Sequence, residues 1–251
     1  MNNPKAIVHL DRLARNYKIL SNSVNGKRLM AVVKANAYGH GAIECSKTLE
    51  NEGCDFFSVF TVEEAKELRN AGLKSEILIL SKLEKESIQT AINNDLIVNI
   101  SSIDDLDSVI FHLEKNGLSP RFHMKIETGM NRLGFDLSDM SLAIGKLLDY
   151  KNLNCEGIYT HYATSDEGDL SYAHLQLERF EQALEIANEM GYTFKYKHIS
   201  NSGGLLNELS SNTNLLRLGI LLYGIYPSKD VEKKYVLEPV LEFKAPIVDY
   251  R

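Results

Sequence analysis

Phe56-Phe-Ser-Val-Phe60, Thr61-Val-Glu-Glu-Ala-Lys-Glu-Leu-Arg-Asn-Ala-Gly72 and Ile77-Leu-Ile-Leu80 follow one another with little between them. The first and third are short apolar runs bounded by polar residues, and they read as buried strands. The middle run has helical period. Thr61 can cap it, Glu64 stands at the capping-box position, and Gly72 can end it. Strand, helix and strand make a βαβ unit, which sets the two strands parallel.

The rhythm continues in both directions. Apolar, strand-like runs recur at Met30–Lys34, Ile97–Ile100, Phe122–Ile126, Glu156–His161, Lys195–Ser200 and Leu215–Ile220, which brings the number to eight. Helical segments lie between them. Asp104–Lys115 closes at Asn116-Gly117, and Ser171–Met190 closes at Gly191. Apolar strands alternating with helices predict a parallel sheet covered on both faces. Eight such units in 251 residues predict an α/β fold, a closed (β/α)8 barrel of the TIM type, over an open doubly wound sheet. The two ends do not fit this scheme. Ala6–Leu10 reads as a strand, Asp11 as the cap of a helix reaching Leu20, and Lys229–Lys234 as a charged link. Val236–Val248 then resumes a β pattern and stops at Arg251. The expected organisation is a barrel over 11–228, with strands at 1–10 and 235–251 belonging to the start of a truncated C-terminal β domain.

Composition narrows the function. Lys and Arg number 28 against 34 Asp and Glu, a net charge of −6, and no basic block stands out. A mildly acidic chain of this kind is a poor nucleic-acid binder. Hydrophobic residues at 44% exclude a disordered chain. The N-terminus lacks a signal-peptide core, and no apolar run approaches the ~18 residues of a membrane span. Cys45, Cys54 and Cys155 form no CxxC pair, so neither a disulfide frame nor a zinc site is expected, and the expected location is the cytoplasm. His161 with Asp166, Glu167 and Asp169 reads as a solvated acidic helix start and not as a metal cluster. Gly39-His-Gly41 lacks the third glycine of a dinucleotide loop.

In a barrel, chemistry gathers at the C-terminal strand ends. Lys34 ends the first apolar run; a partly desolvated lysine has a lowered pKa and can attack a carbonyl. Lys125 stands in the fifth run, before Glu127-Thr-Gly-Met-Asn-Arg132. His161 ends the sixth. Ser200-Asn-Ser202-Gly-Gly204 follows the seventh and offers hydroxyls and unhindered backbone N–H groups to a phosphate. Arg217 lies inside the eighth. Each also has a purely structural reading: a snorkelling lysine, a core histidine, a capped turn, an internal salt bridge. Their convergence on one rim favours a site.

These residues also fall into longer blocks. Ala31-Val-Val-Lys34-Ala-Asn-Ala-Tyr38-Gly-His-Gly41 closely resembles the pyridoxal-phosphate lysine motif of alanine racemases. Lys125-Ile-Glu-Thr-Gly-Met-Asn-Arg132-Leu-Gly134 resembles the family's second signature. Thr160-His161-Tyr-Ala-Thr-Ser-Asp-Glu, Asn201-Ser202-Gly-Gly and Leu216-Arg217-Leu-Gly219-Ile220 match further blocks in family order. The resemblance implies pyridoxal 5′-phosphate as cofactor and interconversion of L- and D-alanine, the supply of D-alanine for peptidoglycan. It implies that Lys34 forms the Schiff base and acts as a base, that Tyr38, Ser202, Gly219 and Ile220 hold the phosphate, and that Arg217 faces the pyridine nitrogen. His161 would lie beside the ring, and Arg132 near the substrate carboxylate. Lys125 matches a lysine that is carbamylated in some members. The family's C-terminal β domain, which carries an opposite-face tyrosine across a homodimer, has no counterpart among these residues, so weak or no activity is expected of the chain alone. The alternative is a stand-alone barrel that carries pyridoxal phosphate without catalysis.

Overall fold

The computed structural model describes residues 3–24, 26–209 and 212–247. Met1, Asn2 and Val248–Arg251, which the sequence assigns to flanking strands, lie outside them. The described strands are β1 (Lys5–Val8), β2 (Arg28–Val32), β3 (Phe56–Val59), β4 (Glu76–Ile79), β5 (Ile97–Ile100), β6 (Arg121–Lys125), β7 (Asn154–Tyr159), β8 (Tyr196–His198), β9 (Leu215–Leu218) and β10 (Leu241–Lys244). Eight of them form one parallel sheet in the order β8-β7-β6-β5-β4-β3-β2-β9. The two ends of that sheet meet. The Asn214 N–H donates to Lys197 O at 3.1 Å and the Arg217 N–H to Ser200 O at 3.0 Å, which closes the barrel between β8 and β9. The (β/α)8 barrel read from the βα rhythm is therefore the fold.

The helical segments are α1 (Leu10–Ser23), α2 (Lys34–Tyr38), α3 (Ala42–Asn51), α4 (Val62–Asn70), α5 (Ile88–Asn93), α6 (Ile103–Asn116), α7 (Met140–Asp149), α8 (Ser171–Glu189) and α9 (Ser202–Leu206). Helix α4 carries the capping box read at Thr61 and Glu64, and α6 ends on Gly117 in the left-handed region. Asp11 does not cap α1. The cap position is His9, whose side chain makes no capping bond and instead meets Glu242 Oε2 at 3.0 Å, and Asp11 lies inside the first turn, paired with Arg15 at 2.9 Å. No described helix is long and apolar enough to cross a membrane.

Several strands stop short of the runs read from sequence. Lys34, Phe60, His161, Ser200 and Ile220 all fall beyond the ladder. They stand at the barrel mouth, where single bonds such as Ser81 N–H to Phe60 O and Arg217 N–H to Ser200 O, both 3.0 Å, carry the pairing just past the regular ladder. Outside the barrel, β1 pairs antiparallel with β10, from Lys5 opposite Lys244 to Val8 opposite Leu241. Among the described residues of the 235–251 segment, only Leu241–Lys244 is strand. Buried Asn16 ties the same region to α1: its side chain donates to Leu222 O and Glu238 O and accepts from the Glu238 N–H.

The barrel interior is built in layers. Met30, Phe56, Leu78, Ile97, Tyr196 and Leu215 form an apolar cluster at the lower end. Successive side chains in a strand alternate faces, so two residues further along face inward again. Ser58, Asn99, His198 and Arg217 occupy those positions, all buried. The upper interior is thus polar, an arrangement that needs mutual hydrogen bonds to be stable. His123 completes it. Its ring fills the space a side chain at 157 would take: a Cβ on Gly157 would lie 2.8 Å from the ring.

Candidate active site

A cavity of about 340 Å³ opens at the C-terminal end of the barrel strands. All nine residues singled out in the sequence line it: Lys34, Tyr38, Lys125, Arg132, His161, Ser202, Arg217, Gly219 and Ile220. Five barrel strands deliver them, because each residue sits at or just past a strand end.

Lys34 leaves β2 into an unusual segment. Ala35, Asn36, Ala37 and Tyr38 have φ of 52°, 53°, 54° and 52°, one turn of left-handed helix without a glycine. Such backbone costs roughly 1–2 kcal/mol per residue in an L-chain, so the surroundings must over-determine it. Hydrogen bonds do so at both ends. Ala35 N–H donates to Glu64 Oε1 at 2.7 Å, Ala37 N–H to Val33 O at 2.8 Å, Gly41 N–H to Asn36 O at 3.0 Å, and Ala42 N–H to Asn36 Oδ1 at 2.8 Å. The turn projects Tyr38 across the mouth, where its hydroxyl lies 2.7 Å from where a Cβ on Gly219 would be. A side chain at 219 would displace it.

The Arg132 loop is closed by Glu127, whose carboxylate accepts from the N–H groups of Gly129 and Arg132. Those backbone bonds outweigh burial and hold the Glu127 carboxyl below its ordinary pKa. Helix α8 fastens this loop to the one bearing His161. Buried Gln176 donates to Thr128 Oγ1 at 3.3 Å and to His161 O at 3.0 Å, and accepts from the Ala163 N–H at 2.8 Å.

Arg217 is fully enclosed and donates in several directions: to the carbonyls of Thr160, His198 and Ile199, to His198 Nδ1 at 2.6 Å and to His161 Nδ1 at 3.1 Å. Its carbon also lies 5.1 Å from the centre of the Tyr159 ring. Guanidinium has no acceptor site, so both imidazoles must present an unprotonated Nδ1. His198 then carries its proton on Nε2 and donates it to His123 Nδ1 at 2.9 Å. Burial lowers the Arg217 pKa to about 10, which leaves it a cation at neutral pH. Burial, followed by the Arg217 charge, pushes His161 well below its ordinary value.

Burial and the neighbouring Arg132 charge also lower Lys34, and Glu64 partly offsets them. Lys125 is pushed down to about 8 by burial, then by Arg132 and Arg217. Four basic side chains, Lys34, Lys125, Arg132 and Arg217, therefore share one cavity, and Asp166 supplies the carboxylate in its lining. That excess suits a ligand with more than one anionic group.

Among the lining residues that the sequence did not single out, Tyr159 and Asp166 are the ones with ionisable side chains. Tyr159 stacks on His198, ring centres 4.7 Å apart, and donates its hydroxyl to Asn99 Oδ1 at 2.9 Å. Its signal was available: it stands two residues before His161 on one strand. Asp166 was assigned to a solvated helix start, but α8 begins only at Ser171, whose N–H is held by Asp169 Oδ1 at 2.9 Å. Residues 164–169 are a loop instead, and Asp166 within it lines the cavity.

Residues 8–227 match the family described as "Alanine racemase, N-terminal domain". The chain belongs to the alanine racemase family. The alanine racemase of Methanococcus maripaludis is 37% identical over 242 residues, covering 95% of this chain and 65% of that protein. The solved alanine racemase of Clostridium difficile 630 superimposes with a TM-score of 0.91 at 31% identity, over 97% of this chain and 64% of that one. The structure of alanine racemase from E. faecalis gives a TM-score of 0.88 at 33% identity, over 96% and 66%. The chain thus spans about two thirds of the length of these relatives. The family depends on pyridoxal 5′-phosphate, and the matched portion is its cofactor-binding domain. The residues present fit that group. The basic cavity suits its phosphate, Lys34 with its lowered pKa is a free amine that its aldehyde could take, and the unsubstituted backbone at Gly219 leaves room for the Tyr38 hydroxyl across the mouth.

Proposed function

We propose that this chain is the cofactor-binding barrel of a pyridoxal-phosphate-dependent enzyme that interconverts L- and D-alanine, in the cytoplasm and for peptidoglycan. The observation that carries the reading is the convergence of Lys34, Arg132, His161 and Arg217 on one cavity at the strand ends. Tyr38, Ser202 and the backbone of Gly219 and Ile220 would hold the phosphate, and Lys34 Nζ the aldehyde end. Bound there, pyridoxal phosphate would delocalise the charge left when a substrate α-proton is removed. Arg132 would fix the substrate carboxylate. Lys34 Nζ, its proton affinity lowered by burial and by Arg132, would take the α-proton on one face. Arg217, a cation that only donates, would face the pyridine nitrogen, so that nitrogen would stay unprotonated. His161, bonded to Arg217 through Nδ1, would lie beside the ring. Lys125 is proposed as the carbamylated lysine that orients Arg132.

Racemisation needs a base on each face. On this reading the barrel provides one, and the second comes from the C-terminal β domain of a homodimer. The 251-residue chain loaded with pyridoxal phosphate is therefore expected to exchange the α-proton of one alanine enantiomer in D2O, with inversion at least about tenfold slower. Proton NMR with chiral analysis checks this. Equal rates of exchange and inversion, or exchange of neither enantiomer, would contradict it; the latter would favour the cofactor-carrier alternative.

A further inference from the structure

The loops that follow β2 and β3 share one carboxylate. In the first turn of α4 the Glu64 N–H donates to Thr61 Oγ1 at 3.2 Å, and Glu64 Oε2 accepts from the N–H groups of Phe60 at 2.6 Å and Thr61 at 3.3 Å. Those bonds are an ordinary capping box and satisfy orphan donors at the helix start. The other oxygen does something a cap does not require. Oε1 accepts from the Ala35 N–H at 2.7 Å, across 29 residues. Ala35 directly follows Lys34 and opens the left-handed turn. The far end of that turn is closed from within the same segment, by Asn36, Gly39 and Gly41. The near end, where Lys34 emerges, is held from another βα unit by Glu64.

The charge of Glu64 is also informative. Lys34 is flanked by Arg132 and Arg217, with Lys125, His161 and the Tyr38 hydroxyl on the same cavity. Glu64 is the group that opposes those cations in setting the charge state of Lys34.

We propose that Glu64 is a positioning residue for Lys34: its carboxylate ties the start of the left-handed turn to the start of α4 and fixes where Lys34 enters the cavity. The proposal rests on the reading of Lys34 as the cofactor lysine, and two measurements separate the fates of the two.

The first needs no cofactor. Hydrogen exchange of the Ala35 amide is followed by NMR in the wild type, Glu64→Ala and Thr61→Ala. Both variants damage the α4 cap, but Thr61→Ala leaves the Glu64–Ala35 bond intact. Ala35 exchange is expected to rise about tenfold or more in Glu64→Ala and to stay within about twofold of the wild type in Thr61→Ala. The second measurement follows capture of pyridoxal phosphate by absorbance across pH: Lys34 Nζ bonds to the aldehyde carbon, and the carbonyl oxygen leaves as water. Capture is expected to weaken about tenfold or more in Glu64→Ala and not in Thr61→Ala. In Glu64→Gln, which keeps the size and loses the charge, the pH midpoint of capture is expected to move to lower pH, because Arg132, Arg217 and Lys125 then act on Lys34 with only the Asp166 carboxylate of the cavity lining to oppose them. Matching behaviour of Thr61→Ala and Glu64→Ala, or unchanged Ala35 exchange in Glu64→Ala, would reduce Glu64 to a helix cap and overturn the proposal. Should the wild type capture no pyridoxal phosphate, the cofactor reading fails, while Ala35 exchange still decides the strap.

Discussion

Acidification from pH 7 to pH 5 is expected to remove a large share of the protein's stability, before its carboxylates begin to titrate. Three imidazoles cause this. In the unfolded chain each binds a proton near the ordinary value of 6.5. In the fold, burial and the neighbouring cations Arg121, Arg217 and Lys195 push His123 down to about 3. Burial and Arg217 hold His161 and His198 well below the ordinary value. Below pH 6.5 the unfolded state therefore binds more protons than the native state, and stability falls with pH. Above it all three are neutral in both states and the effect vanishes. Each contributes about 1.4 kcal/mol per pH unit once fully in that window, so three together approach about 4 kcal/mol per unit against a total of about 5–15 kcal/mol. The depressed carboxylates, such as Glu50 and Glu127, lose their contribution only as pH falls below about 4.5. Urea unfolding from pH 8 to pH 5 checks this. A shallow decline from pH 8 to 7, left by Lys125 with its pKa lowered to about 8, and a much steeper fall below 6.5 are expected; no steepening down to pH 5 would mean that the buried network is solvated.

Replacement of Lys34 by Met is expected to abolish covalent capture of pyridoxal phosphate while raising the stability of the cofactor-free protein. The two effects have one origin. Lys34 is half-buried, bound to no carboxylate among the described residues, and pressed by Arg132 and Arg217. A methionine keeps the apolar stem and removes a charge that burial and like charges penalise. The gain is expected to be about 1 kcal/mol, in keeping with the usual trade of stability for function at active sites. The Lys125 pKa, held to about 8 partly by Lys34, is expected to rise. Thermal unfolding and absorbance titration with pyridoxal phosphate check the two halves. Retained capture would move the site to another lysine, and a loss of stability would mean that Lys34 makes contacts that outweigh its desolvation.

The barrel was legible in sequence because a parallel sheet buried on both faces needs uninterrupted apolar strands, as at Ile97–Ile100, between capped helices such as that opened by Thr61. The site was legible because polar residues such as Lys34 and His161 stand where such strands end. What stayed hidden depends on contacts distant in the chain. The left-handed turn at Ala35–Tyr38 has no glycine to announce it; it exists because Glu64 and Val33 accept its N–H groups. Asp166 joins the cavity only because α8 starts later than its acidic approach implies. The polar interior of His123, Asn99 and His198 hides inside runs that read as buried strand, although its alternation with apolar neighbours was there to be seen. Asp11 looked like a cap and instead pairs along the helix with Arg15.

The central claim is that the barrel mouth builds a pyridoxal-phosphate site on one lysine out of the many this chain carries. Borohydride reduction of the purified chain with pyridoxal phosphate, followed by peptide mass mapping, tests it most directly. A single reduced adduct is expected, on the peptide containing Lys34. Adducts scattered over surface lysines, or none at all, would contradict it.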